Sequence, residues 1–328
     1  MNDKSLNPEL FDEDVEQVPS RNGFGEGLVI AGEENPNVVG LCADLTESTR
    51  MEAFKKKFPE RFVEVGVAEQ NLVTVASGMA HEGKIPFTSS YATFSPGRNW
   101  EQIRTTICYN NQPVKIVGSH AGISVGPDGA THQALEDIAL MRVLPNMVVV
   151  VPADSIEAKK ATIAIAKNGK PSYIRLSRDK VPVITTENSP FEIGKAEVLN
   201  QGKDVTIIAC GQMVYMALKV AKVLEEDKIS VRVINNHTIK PLDTKTILNA
   251  AEETGAIVTV EEHQIAGGMG SAIAEVVSES FPVPIKRIGI EDSFGESGST
   301  KELMEKFGLT EDHIKQAVLE VLRRKRRV

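Results

Sequence analysis

Short apolar runs rich in β-branched residues alternate with stretches of helical periodicity along almost the whole chain, and no other feature narrows the fold as much. Runs at residues 38–43, 62–67, 114–118, 147–151 and 172–176 are short and mostly apolar, so each is expected to be a buried strand. Amphipathic stretches near residues 69–82, 98–109, 133–142 and 155–167 separate them. Strand, crossover helix and parallel strand in that order predict a doubly wound, mostly parallel α/β sheet. A second, smaller α/β set follows, with strands expected at 205–209, 231–234, 257–261 and 285–290 and helices near 213–226, 243–253, 267–279 and 311–324. Residues 179–194, with Pro182, Pro190 and little periodicity, read as the linker. The 328 residues agree with two domains of about 150 residues each.

Charge narrows the partners. A net charge of -8 gives no general attraction to nucleic acid or anionic lipid. No run approaches the roughly 20 apolar residues that span a bilayer. The start of the chain carries Glu9, Asp12, Glu13, Asp14 and Glu16 in place of the basic and then apolar segments of a secretory signal, so a cytoplasmic location is expected. The basic end, Arg323 to Arg327, could dock an acidic partner but reads more simply as a complement to a helix C-terminus or a stretch fraying in solvent, and no function is assigned to it. Cys42, Cys108 and Cys210 are widely spaced in apolar surroundings and read as small hydrophobes. Gly267, Gly268 and Gly270 lack dinucleotide-turn spacing and read as tight packing at a helix start.

Two segments carry the chemistry. The loop HAGISVGPDGATH places His120, Asp128 and His132 on a glycine-rich segment after a strand, where open α/β sheets bind ligands and where imidazoles can move a proton. The spacing of its histidines is not that of a zinc pair. Glu69 opens an otherwise apolar helix directly after a strand. Its carboxylate there is either a favourable charge at a helix start or a proton-handling group taken out of water.

The segments FVEVGVAEQN, FTSSYATF, VGPDGATHQALEDIALMRVLPNM, VVVPAD and YIRLSR, between Arg61 and Arg178, closely resemble the pyrimidine-binding domain of transketolase. The remainder resembles the transketolase C-terminal domain, which assigns residues 1–187 to the first domain and 188–328 to the second. The resemblance implies thiamine diphosphate chemistry that moves a two-carbon ketol unit from a ketose phosphate to an aldose phosphate, as in the pentose phosphate pathway. Glu69 matches the glutamate that hydrogen-bonds a ring nitrogen of the cofactor's aminopyrimidine. Phe94 matches the aromatic stacked on that ring, with Tyr91 beside it. Leu45 matches the residue that props the bent cofactor, and Asp44 its acidic neighbour near the dimer interface. His132 matches the histidine on the donor's hydroxyl and carbonyl oxygens, and Asp128 a carboxylate that reads a substrate hydroxyl. His120 and Arg178 match the cationic end that holds a sugar phosphate, with Arg21 and Ser48 as weaker matches.

Two departures stand out. Around Pro96, Gly97 and Arg98 the third pocket aromatic is missing, with Trp100 the candidate to cover that wall. The Gly-Asp-Gly and Asn motif that holds Mg2+ and the diphosphate is nowhere in the 328 residues. No metal ligand is therefore assigned to this chain. The resemblance implies the C-terminal subunit of a split transketolase, with the diphosphate and Mg2+ on an N-terminal partner subunit and a heterotetramer of two copies of each.

Three alternatives remain. A 1-deoxyxylulose-5-phosphate synthase-like half enzyme shares GVAEQN and THQ, but the position of His120 is typically Arg there. The beta subunit of a 2-oxo-acid dehydrogenase has the same layout and fits DGATH poorly. The third is a non-catalytic scaffolding homologue, against which Glu69, Asp128, His132 and Arg178 stand together.

Overall fold

A computed structural model describes residues 6–325 of the chain. The first half supplies β1 (Val38–Cys42), β2 (Phe62–Glu64), β3 (Ile85–Tyr91), β4 (Lys115–Ser119), β5 (Val148–Val150) and β6 (Ser172–Arg175). The second supplies β7 (Glu197–Asn200), β8 (Val205–Ala209), β9 (Val231–Asn235), β10 (Thr238–Lys240), β11 (Ile257–Gln264) and β12 (Ile285–Ile290). A seven-stranded sheet runs β10-β5-β6-β4-β3-β1-β2, parallel except for β10 against β5. A five-stranded sheet runs β12-β11-β8-β9-β7, parallel except for β7 against β9. Every residue of β1, β4, β5 and β6 is buried, as strands covered on both faces require. The chain is an α/β protein of two parallel-sheet units, as the alternation of its sequence predicts.

The longer helices are α1 (Ser20–Glu34), α2 (Glu69–His81), α3 (Ser155–Lys167), α4 (Met213–Glu226), α5 (Thr244–Thr254), α6 (Met269–Ser280) and α8 (Glu311–Lys325), with the short α7 (Thr300–Lys306) before the last. Helix α1 has no counterpart among the expected elements, because four glycines weaken its propensity. Those glycines serve close packing. A Cβ on Gly23 would lie 1.7 Å from the Ser155 carbonyl oxygen, and one on Gly27 2.7 Å from that of Lys159, so α1 rests directly on α3. Strand β3 was also not expected, since Pro86 and the Thr-Ser-Ser run dilute its apolar signal.

Several expected bounds change. The strand at 62–67 ends at Glu64, whose carboxylate takes the Asp44 and Gly66 amides at 2.7 and 3.0 Å, and the chain turns at Gly66 with φ +72°. Residues 98–109 form a short turn, Trp100–Gln102, and then a π-helical segment, Ile103–Tyr109. Of 133–142 only Asp137–Arg142 is helical.

The two halves share their cores. Ile123 and Leu135 pack in one apolar cluster with Ile207 and Leu218, and Val39 and Ile116 in another with Ile208 and Ile234. The expected division at residue 187 is crossed twice. Leu6 and Leu10 join the cluster of Val214 and Leu218, and β10 completes the first sheet.

Other readings find a structural place. Glu261 accepts the Met269 and Gly270 amides at 2.7 and 2.8 Å, and a Cβ on Gly268 would lie 2.2 Å from its carboxylate, so the glycine cluster is tight helix-start packing. All three cysteines are buried thiols, and burial pushes them upward, Cys108 to about 12. At the basic end Lys325 donates to the Asp204 and Thr254 carbonyls at 3.0 and 2.7 Å, while 326–328 lie outside the described residues. Among the described residues no helix is long and apolar enough to cross a membrane.

Candidate active site

The carboxyl ends of β3 and β4 bring the ring side chains together. Tyr91 closes β3 and stacks on His120, one residue past β4, with centroids 3.9 Å apart. Phe94 stacks beside Tyr91 at 6.1 Å. His132 stands edge-on to Tyr91 at 6.2 Å and to Phe94 at 5.4 Å. Its Nδ1 lies 2.9 Å from the Thr131 hydroxyl. Such a group forms a wall for a flat ring and places an imidazole at its margin.

His120 corrects one expectation. Arg21 Nη1 lies 3.0 Å from His120 Nε2, and an arginine only donates, so Nε2 is the acceptor and the proton sits on Nδ1, 2.9 Å from the Ser119 hydroxyl. Burial first, then the charges of Arg21, Arg178 and Arg50, push His120 down to about 3. In the free chain it is neutral and adds no charge to the expected cationic end.

The cationic end is made of arginines. Arg21 is pushed below its ordinary range by burial and then by Arg50 and Arg178, a sign that the three guanidinium groups crowd one another. Arg21 also donates to the Ser48 carbonyl at 2.8 Å, so Ser48 contributes backbone to the contact. Arg178 donates to the Val125 carbonyl and lies 3.8 Å from Asp128, a loose pairing between half-exposed groups. Arg50 was not singled out from sequence. It has φ +64° and its Nε donates to Asn22 at 2.9 Å. Nothing in the spacing of ESTR announces that turn.

Glu69 is 3% exposed at the start of α2. One oxygen accepts the Ser90 hydroxyl at 3.4 Å, and the other, Oε2, is buried with no hydrogen-bond partner. A buried carboxylate oxygen without a donor is costly, and a donor on a ligand would satisfy it. Asn99 fixes the helix start by donating to the Glu69 carbonyl at 2.9 Å and to Ser95 at 3.2 Å. Ser90 precedes Tyr91 in β3, which links Glu69 to the ring cluster. These residues fit an aminopyrimidine ring, with a nitrogen at Glu69 and a face at Tyr91 and Phe94.

Asp44 and Leu45 follow β1 in a separate turn. Asp44 has φ +59° and its amide is held by Glu64; Leu45 is half-buried against the apolar cluster of Phe24 and Leu28. Trp100 is no part of the ring wall: its Nε1 donates to the Leu140 carbonyl at 2.8 Å, and its ring packs on the core cluster of Val39 and Ile116. No group of three or more His, Cys, Asp or Glu able to hold a metal occurs among the described residues.

Family comparisons match this arrangement. The model described as "Transketolase, pyrimidine binding domain" covers residues 16–183, and "Transketolase, C-terminal domain" covers 194–314. The chain belongs to the transketolase family. This family is generally thiamine diphosphate-dependent. A solved structure titled "Split gene transketolase, inactive beta4 tetramer" is 47% identical with a TM-score of 0.89, covering 94% of this chain and 99% of its own. The 6-deoxy-6-sulfo-D-fructose transketolase subunit SqwH of Clostridium sp. is 41% identical over 96% of this chain and 98% of its own length. The 1-deoxy-D-xylulose-5-phosphate synthase of Trichormus variabilis is 39% identical over 90% of this chain, which spans 47% of that longer relative. The chain is thus a split transketolase-like subunit.

Proposed function

We propose that this chain is the C-terminal subunit of a two-subunit transketolase that transfers a two-carbon unit between sugar phosphates. The observation that carries the reading is the buried, donor-less Oε2 of Glu69 next to stacked aromatics, in a site that also gathers three arginines. When bound, thiamine diphosphate supplies an electron sink for the two-carbon carbanion.

Each residue then has a task. Glu69 shares a proton with a ring nitrogen of the pyrimidine through its unpartnered Oε2, so that the ring can carry the proton in its imino form. Tyr91 and Phe94 give the ring a face, and Leu45 and Asp44 support the cofactor from the β1 turn. His132 presents its imidazole to donor oxygens, and Asp128 accepts a substrate hydroxyl. Arg21, Arg50 and Arg178 hold the phosphate, with neutral His120 fixed among them as a hydrogen-bonding spacer.

The partner reading rests on the missing Gly-Asp-Gly motif and on relatives of this length that are described as subunits or split-gene products. The diphosphate and Mg2+ are assigned to that partner, in a heterotetramer. The synthase reading is less well supported, because an imidazole and not a guanidinium occupies position 120. The test is a coupled assay with a ketose phosphate donor and an aldose phosphate acceptor. The chain mixed with the diphosphate-domain subunit, thiamine diphosphate and Mg2+ is expected to turn over and the chain alone to be silent. Turnover by the chain alone would remove the partner.

A further inference from the structure

The loop 120–132, which carries His120, Asp128 and His132, is held from both halves of the chain: Leu176 and Ala134 accept the Ala121 and Gly122 amides at 3.1 and 2.9 Å, and the second half reaches Ser124. Glu262, 4% exposed on β11, accepts the Ser124 amide at 2.7 Å through one oxygen and the Gln212 side-chain amide at 2.5 Å through the other. The loop passes so close that a Cβ on Gly122, at φ +87°, would lie 2.2 Å from the Glu262 carboxylate. From the other side, Gln133 donates to the loop carbonyls of Ile123 and Gly126 at 3.2 and 3.3 Å and to the Glu296 carbonyl at 2.9 Å. Thr300, at the start of α7, reaches the Ser124 carbonyl at 3.3 Å and Asp179, beside Arg178, at 2.6 Å.

We propose that Glu262 is the positioning residue of the substrate loop, so that the C-terminal half sets substrate binding at a site it does not itself line. The substrate consequence rests on the transketolase reading; the positioning does not. The carboxylate acts by reach. It holds the Ser124 amide, and the next residue, Val125, in turn accepts from Arg178, which lies beside Asp128. Displacing this backbone moves the sugar-reading carboxylate and the phosphate-reading guanidinium together. Arg175 holds Glu262 in place from β6, donating to its backbone carbonyl at 2.8 Å.

Reach and charge are separable by two variants of the full chain. Glu262→Asp keeps the charge and withdraws the carboxylate by one methylene; Glu262→Gln keeps the length and an acceptor for Ser124, and the Gln212 amide can turn to accept its NH2 group. Hydrogen exchange of the peptide spanning 120–132 is expected to quicken about 10-fold or more in Glu262→Asp and to stay near wild type in Glu262→Gln, with both sheets protected as before. Unchanged exchange in both variants would overturn the proposal. Faster exchange in Glu262→Gln than in Glu262→Asp would overturn it as well, because charge and not reach would then hold the loop. In the reconstituted enzyme, Glu262→Asp should raise KM for sugar phosphates about 10-fold with kcat within about threefold. An unchanged KM with a loosened loop would refute the substrate consequence. Absence of turnover in the wild-type mixture would fail the transketolase reading alone, and the exchange result would still decide the role of Glu262.

Discussion

Arg21 donates to His120 Nε2 across 3.0 Å, which fixes the imidazole as the neutral Nδ1-protonated form in the middle of a cationic cluster. The folded state resists protonation down to about pH 3, whereas an unfolded histidine takes its proton near the ordinary value of 6.5. The stability this lends is present above pH 6.5 and is lost as pH falls from there toward 3, by at most about 1.4 kcal/mol per pH unit. His120→Gln should flatten this acid limb in denaturant titrations. An unaltered slope would contradict the assignment.

Glu157 predicts the opposite limb. It is fully buried at the start of α3 beside Asp154, and burial, then that neighbouring carboxylate, push it up to about 8. It holds its proton in the fold, so its contribution is present below the unfolded value of 4.5 and is lost as pH rises through 8. Glu157→Gln should stabilise the chain at pH 8 relative to wild type and leave it little changed near pH 4.5. Equal effects at both pH values would refute a protonated Glu157.

Beneath the loop, Arg175 and Asp137 form a buried ion pair at 2.9 Å, and the Tyr173 hydroxyl adds a 2.6 Å bond to the same oxygen. Asp137→Asn leaves a buried guanidinium without its counter-charge and should cost about 3 to 5 kcal/mol by urea denaturation. A loss below about 1 kcal/mol would show that water reaches the pair.

The proposed phosphate role of Arg178 is separable from the remainder of the site. Arg178→Ala should weaken phosphorylated acceptors about 10-fold more than unphosphorylated ones in kcat/KM, because the proposed contact is a charge-assisted fork on the phosphate. Equal losses for both acceptors would remove that role.

The sheet units and the Glu69 helix were legible in the sequence because short apolar runs and helical periodicity are local signals. Helix α1 was not: four glycines weaken its helical signal, and only the fold shows that they serve packing, since a Cβ on Gly23 would lie 1.7 Å from the Ser155 carbonyl oxygen. The ring wall was legible through the match of Tyr91, Phe94, His120 and His132. The protonation state of His120 was not, since it depends on Arg21 reaching it from 99 residues away. Arg50 and Glu262 were hidden for the same reason, as each acts through contacts that no spacing encodes.

Glu69→Gln in the reconstituted two-subunit assay tests the central claim most directly. The variant should fold and melt like wild type and lose two-carbon transfer by about 100-fold or more. Turnover near that of wild type would mean that Glu69 handles no proton in this site and that the proposed chemistry is wrong.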